Sequence, residues 1–569
     1  MKAESGDMKK RNLRSSNIIQ FILLLIIILS LNLSGMYVFK RLDLTSEKRF
    51  TLSETTREKL RNLKDIVYIK VYLTGDLPAG FQKLSSATHD MLMEMKSYAG
   101  SNLEFDFIDP SALTDSKQRN ELYNQLADKG LQPTNLSERT KEGTSQRIIF
   151  PGAILNYLSK EQPLLLLKDR MGASAEEMVN TSIQNLEYEI INAISKISTV
   201  KPPVIGILHG QGEVDKPHLA DFYKSVSASY PTRYVEIKNK LNALEDISCL
   251  VIAKPDSAFE EKDKFIIDQF VMRGGKVLWL LDMMNADMDS LAKKNEFVSV
   301  PTELNLDDML FRYGVRLNKD LVMDLQAAPI PILTGYVGNR PQNSLLPWYF
   351  FPLVTPESKH PIVKNLNAIR FDFVGSIDTI ISAKVNKTVL LKSSEYTRIL
   401  SSPAVVDLNI LRKDPDEKEY RKPPAILSVL MEGHFRSNYA NRIPYQIATD
   451  SAIGFKEESI ATKMIVVADG DVIKNDYRRA NNTVYPLGFD KYTGQFYGNK
   501  NFLMNCVDYL CDNSGLMTLR SKEFKLRLLD TTRFTPAEQF IKTTNVALPV
   551  FIVFLFAAIK LFIRRKKFN

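Results

Sequence analysis

Apolar residues follow three different rhythms along this chain. Near the two ends they run almost without interruption, as "IIQFILLLIIILSLNLSGMYVF" within residues 17–39 and "VALPVFIVFLFAAIKLFI" at 546–563. A helix that crosses a bilayer needs roughly 20 such residues, so both runs predict membrane spans, with Lys560 able to snorkel from the second. A second rhythm occupies the first part of the interior. "IVYIKVYLT" alternates Val67, Ile69 and Val71 against Tyr68, Lys70 and Tyr72, which predicts a strand. "FQKLSSATHDMLMEMKSYA" spaces Leu84, Met91, Leu92 and Met95 as a helix does, and "LEFDFIDP" is a second strand ended by Pro110. A short helix opening at Ser53 precedes them, with Leu52, Leu60 and Leu63 on its apolar side. "RIIFPGAILNY" and "EQPLLLL" predict a hairpin near 147–168. Residues 175–198 then place Met178, Ile183, Leu186, Ile190, Ile194 and Ile197 on one helical face.

The third rhythm begins after the break "TVKPPV". From residue 203 the short apolar runs "VIGIL", "CLVIA" and "KVLWLLD" alternate with helical stretches at 216–229 and 259–273. Near-continuous apolar strands between helices predict a buried parallel sheet. "PAILSVLMEG" (424–433) and "KMIVVAD" (463–469) read as later strands, and residues 500–512 as a closing helix. The Pro- and aromatic-rich stretch near 325–400 predicts an insertion or separate lobe, and 414–424 a charged loop.

The expected fold class is therefore α/β: a two-span membrane protein with a large extracytoplasmic portion. Its plan is a basic tail (1–16), a span (17–39), an α/β domain (40–200), a parallel-sheet α/β domain with its insertion (201–524), a juxtamembrane linker (525–545), a span (546–563) and a basic tail (564–569). The β-α-β order of the first domain resembles a thioredoxin-like unit. It lacks C-x-x-C, which excludes dithiol redox catalysis. The second domain resembles the class I glutamine-amidotransferase-like fold by pattern only. Asp282 stands where that family needs a nucleophilic cysteine, so its chemistry is not expected here.

Charge sets the orientation. Lys9, Lys10, Arg11 and Arg14 precede the first run, and Arg564, Arg565, Lys566 and Lys567 follow the second. The positive-inside rule places both ends in the cytoplasm, so the roughly 500 residues between two spans lie outside. A cleaved signal peptide is the rival reading, but "LSGMYVFKRL" offers no small-x-small cleavage site. The net charge of +9 is an end effect; removing residues 1–17 and 560–567 leaves 65 Lys/Arg against 64 Asp/Glu. Nucleic acid is thus not an expected partner. Cys249 reads as a small buried hydrophobe, and Cys506 and Cys511, five apart on a helix, as an unfavourable pair for a bridge. No Cys/His zinc spacing occurs, and no metal or cofactor is expected.

The stretch "RLDLTSEKRFTLSETTREKLRNLKDIVYIKVYLTGDLPAGF", with "LPWYFFPLVTPESKHPI", "LLKSSEYTR", "VVADGDVI" and the ending "NVALPVFIVFLFAAIKLFIRRKK", is similar to the gliding-motility-associated ABC transporter auxiliary proteins, the GldG family. The likeness runs from about residue 15 to the C-terminus. It implies a subunit of the bacterial inner membrane with its bulk in the periplasm. Its partners would be an ABC permease and a separate cytoplasmic ATPase, with two copies per complex allowed. It transfers no catalytic residue. The chain also lacks G-x-x-x-x-G-K-[ST], so ATP hydrolysis falls to a partner.

Candidate chemistry gathers at the strand ends. "GILHGQGEV" supplies His209 and Glu213, "VLWLLD" Asp282, and "IVVADGD" Asp469 and Asp471. Open α/β sheets bind ligands at this edge, and a His with carboxylates suits a cation or acid–base work. The bland alternative is that strand-end Asp and Gly residues make turns and caps. Gly210 and Gly212 do not complete a G-x-G-x-x-G pattern, since Asp215 stands at the last position. "PWYFFPL" presents Trp348, Tyr349, Phe350 and Phe351 as a partner-docking cluster, or as packing for the lobe. The expectation is a non-catalytic auxiliary subunit that couples to the permease or presents substrate to it. An extracytoplasmic hydrolase or glycan-binding protein using the strand-end cleft is the alternative, and a scaffold or dimerisation module a third.

Overall fold

The structure, a computed structural model, describes residues 18–30, 51–140, 143–168, 174–338, 340–451, 453–512, 514–521 and 531–568. The chain divides into two units, Met1–Lys522 and Glu523–Asn569.

In the second unit a single helix, Thr531–Phe568, runs from within the expected linker through the expected span without a break; residues 525–530 of that linker lie outside the described set. Its stretch Gln539–Lys566 is the one helix among the described residues that is long and apolar enough to cross a membrane. Of the expected N-terminal span, residues 18–30 form an apolar helix, α1 (Ile18–Ser30), and residues 31–39 lie outside the described set.

The first domain opens with α2 (Glu54–Arg61). The Ser53 hydroxyl accepts from the Thr56 amide at 3.1 Å, Glu54 lies in the first turn, and Lys59 and Arg61 lie in the last, all favourable to the helix dipole. There follow β1 (Val67–Val71), α3 (Ala79–Ala99), β2 (Leu103–Phe107), α4 (Ser116–Asp128), the hairpin β3 (Thr134–Thr140) and β4 (Gly143–Ile149), the hairpin β5 (Gly152–Tyr157) and β6 (Lys160–Leu165), and α5 (Ala175–Ser198). The sheet order is β2-β1-β5-β6, with β1 parallel to β2 and antiparallel to β5. Val67, Ile69 and Val71 point into the core as the alternation requires. The hairpin expected at 147–168 is only partly right. Arg147–Ile149 pair with β3, because Pro151 interrupts the run and a new strand starts at Gly152. On α5, Leu186, Ile190, Ile191, Ile194 and Ile197 are buried against α2, α3 and the sheet.

After Pro202 and Pro203 come β7 (Ile205–Leu208), α6 (Ala220–Ser227), β8 (Thr232–Val235), β9 (Cys249–Ala253), α7 (Glu261–Met272) and β10 (Lys276–Leu280). Later in the chain β11 (Val385–Lys392), β12 (Ile426–Gly433) and β13 (Thr462–Val467) join the same sheet, and α8 (Asn499–Cys511) packs against it. The order is β11-β12-β13-β10-β9-β7-β8. The expected parallel sheet is thus a mixed one: β13, β10, β9, β7 and β8 are parallel, while β12 runs antiparallel to both its neighbours. Burial on both faces hides this from the sequence, since a fully covered strand reads as continuously apolar in either direction. Cys249 and Cys506 are fully buried here, and all three cysteines are free.

Between β10 and β12 the chain builds a lobe of small antiparallel sheets. Its longest element is the hairpin Ala327–Val337 with Arg340–Val354. A satellite core fills it, drawing on Leu321, Met323, Trp348, Phe350, Phe351, Phe373 and Tyr420.

Candidate functional site

The carboxyl ends of the parallel strands do converge, but they form two separate constellations. The first lies where strand succession reverses, between β7 and β9, where open α/β sheets offer a crevice. Here the chain closes the crevice on itself. The Glu213 carboxylate folds back so that Oε2 accepts from the Gly210 and Gln211 amides at 2.9 and 2.8 Å. Asp256 and Ser257 donate their amides to the Gln211 carbonyl, both at 3.1 Å, and Val214 donates to Ala253 at 3.1 Å. Gly212 has φ +73°, and a Cβ there would lie 1.6 Å from Asp256 Oδ1. Its glycine is thus required by loop-on-loop packing, with no phosphate needed to explain it. His209 donates its backbone amide to Val235, and its exposed ring stands 6.3 Å from that of Tyr234.

The second constellation follows β9, β10 and β13. Carboxylate oxygens of Asp282, Asp469 and Asp471 lie within 4.8 Å of one another. Lys254, the residue after β9, reaches between two of them: its Nζ is 2.8 Å from Asp282 Oδ2 and also pairs with Asp471 Oδ2. Lys474 Nζ holds Asp471 Oδ1 at 2.9 Å. Asp469 Oδ1 accepts from the amides of Asp471 and Val472 at 2.6 and 3.2 Å, and its Oδ2 from the amide of Asp372 at 2.7 Å. Asp282 Oδ1 accepts from the Gly470 amide. Asp372 in turn grips Arg370 through two bonds of 2.7 and 2.9 Å, and that guanidinium lies 4.5 Å from the Phe351 ring centre.

All six carboxylate oxygens of the trio therefore have protein partners. Burial pushes the Asp469 carboxyl well above its ordinary range, and the neighbouring Asp282 and Asp471 push it further. Burial also raises Asp282, against the pull of Lys254. For Asp471 burial acts upward too, but Lys254 and Lys474 outweigh it and hold the group below the usual range. Lys254 shows the reverse balance: burial acts downward, and Asp282 with Asp471 raise it. Three oxygen donors at this spacing could hold a hard cation, but one would have to displace the Lys254 ammonium. What the arrangement does as it stands is lock the ends of β9, β10 and β13 to the returning 370–372 segment.

Of the residues expected at one cleft, the structure brings together Asp282, Asp469 and Asp471, and gives His209 and Glu213 other partners. Lys254 could have been found by the same strand-end rule. Asp372 could not, because it arrives from the lobe. The docking expectation for Trp348, Tyr349, Phe350 and Phe351 is corrected: they are 0, 6, 1 and 1 % exposed. Consecutive aromatics can all be buried here because the lobe covers both faces of the strand. A cleft of about 1510 Å³ opens elsewhere, lined among others by Arg312, Arg316, Arg436, Asp378 and Glu457. Its mixed charges select no ligand sign.

Comparison with known proteins locates the chain. A domain of unknown function, DUF7088, matches residues 46–156. An uncharacterized protein of Borreliella burgdorferi is 21% identical over 542 residues, covering 94% of each chain. Among solved structures, the mmIFT52 N-terminal domain aligns at 12% identity over 54% of this chain and 96% of its own, with a TM-score of 0.30, too low to assign a fold. The family described as ABC-type uncharacterized transport system matches residues 202–506, from just before β7 into α8 and more than half of the chain. The chain belongs to that family, as an auxiliary component of an ABC-type transport system.

Proposed function

We propose that this protein is a non-catalytic, membrane-anchored subunit that couples an ABC permease, and through it a cytoplasmic ATPase, to an α/β body outside the membrane. The observation that carries the reading is the apolar helical stretch Gln539–Lys566 in a chain of this transporter-associated family. Basic clusters at both ends support cytoplasmic termini, and hence an inner-membrane protein with a periplasmic body and two spans. The link to gliding motility rests on the GldG-like stretches, which also allow two copies per complex. The order β2-β1-β5-β6 supports a thioredoxin-like reading of the first domain. The amidotransferase-like reading of the second rests on its run of parallel strands alone. A hydrolase or glycan-binding cleft draws less support, since the Asp trio is satisfied internally and His209 stands apart from it.

Purification of the tagged full-length protein from native membranes in mild detergent tests this. A permease and an ATPase should accompany it in constant ratio. Recovery as a lone, monodisperse species in several detergents would overturn the reading.

A further inference from the structure

The body has two ends that lead toward apolar segments, and one helix receives both. On the incoming side, the backbone amide of Ser53 and the hydroxyl of Thr56 donate to Glu187 Oε1 at 2.7 and 2.8 Å. Thr56 is fully buried, and Leu52 and Leu60 share the core of Leu186 and Ile190. On the outgoing side the last described residues of the body form the short turn Leu516–Ser521. There the Tyr188 hydroxyl donates to Met517 Sδ at 2.7 Å, the Arg520 guanidinium lies 5.5 Å from the Tyr188 ring centre, and Leu516 enters the core that α5 lines. Glu187 and Tyr188 are neighbours in sequence, about 100° apart around the helix. One therefore holds the incoming segment and the other the outgoing one, at the same height on α5.

The helix also reaches the central sheet. Near its end, Lys196 pairs with Asp508 of α8 at 2.8 Å, and Tyr230 donates to the same carboxylate at 2.8 Å. Both members of that pair are about nine-tenths buried, so solvent screens it little.

We propose that α5 is the transmission element of this protein: a clamp at Glu187 and Tyr188 ties the two chain ends together, and Lys196–Asp508 passes a displacement of either to the central sheet. This deepens the coupling function and rests on it for its biological meaning. A local device suffices, because packed elements move between discrete arrangements rather than deforming continuously.

Hydrogen exchange on the full-length protein in detergent tests the clamp. Thr56→Val removes a donor from the incoming side and keeps the side-chain volume. It should speed exchange in 54–61 and also, by at least about fivefold, in 516–521, which α5 holds through Tyr188. Tyr188→Phe should do the reverse, loosening 516–521 and, with it, 54–61, since coupling between sites is reciprocal. In both variants exchange should also rise in α8 around Asp508, which receives Lys196, while the strands β9 and β10 stay protected and report that the body remains folded. An α8 that does not respond overturns the transmission to the sheet. Exchange that rises only on the substituted side, in whichever variant remains folded, overturns the proposal. The two readings fail separately. If exchange is coupled but no permease co-purifies with the wild type, the clamp stands and the transport partner falls. If the permease co-purifies and exchange stays local, the clamp alone falls.

Discussion

At the scale of single residues the strand-end trio shows how proximity decides the charge state. Asp469 and Asp471 sit two positions apart in "ADGD", yet burial with two carboxylate neighbours drives one up and two lysines hold the other down. The signs differ accordingly. Asp471, depressed when folded, stabilises above its unfolded value of about 3.9, and that contribution is lost as pH falls through its folded value. Asp469, raised when folded, contributes stability that is complete below about 3.9 and lost as pH rises through its folded value. Asp469→Asn should therefore abolish one part of the pH profile. Its urea midpoint relative to wild type should improve steadily as pH rises above the ordinary carboxylate range, and hold level below it. A midpoint that falls relative to wild type as pH rises would mean that Asp469 is ionised and favourable. None of this was legible locally, because Lys254 lies 217 positions from Asp471.

Among elements, those readable from periodicity are those whose burial is uniform along their length. α5 matches its apolar stripe and carries the Ser174 cap expected of a helix start, with the Glu177 amide donating to its hydroxyl at 3.2 Å. β9 and β10 are buried almost from end to end and read as unbroken apolar runs. The direction of β12 and the covering of the "PWYFF" strand were not readable, since both depend on which surface arrives to pack against them. That covering makes a prediction. Trp348→Ala should cost about 3–5 kcal/mol, the range for a large buried aromatic, read as an earlier denaturant midpoint. Co-purification of membrane partners should survive wherever the variant is folded. Loss of partners at wild-type stability would return the aromatic strand to a docking role.

For the whole molecule, the ends and the body raise separate questions. The two basic clusters and two apolar runs make a definite topological claim, of which the helix through Gln539–Lys566 carries one half. Deleting residues 531–569 should leave the protein in the carbonate-resistant membrane fraction, held by the first run. Deleting residues 1–39 as well should release it. Release after the single deletion would show that residues 17–39 do not span, and would move the body's chain ends to different attachments.

The amino-acid sequence alone determined what depends on solvent and on near neighbours. The apolar ends, the amphipathic α5, the capped α2 and the buried strands of the central sheet all follow from how each residue partitions between water and a covered surface. Tertiary structure decided whatever joins distant segments: Lys254 with Asp471, Glu187 with Thr56, Tyr188 with Met517, and the closure of "GILHGQGEV" by Asp256. The physical reason is range. Hydrophobic periodicity is a property of a few consecutive residues, whereas an ion pair or a packed glycine needs two parts of the chain that only the fold brings within a few ångströms.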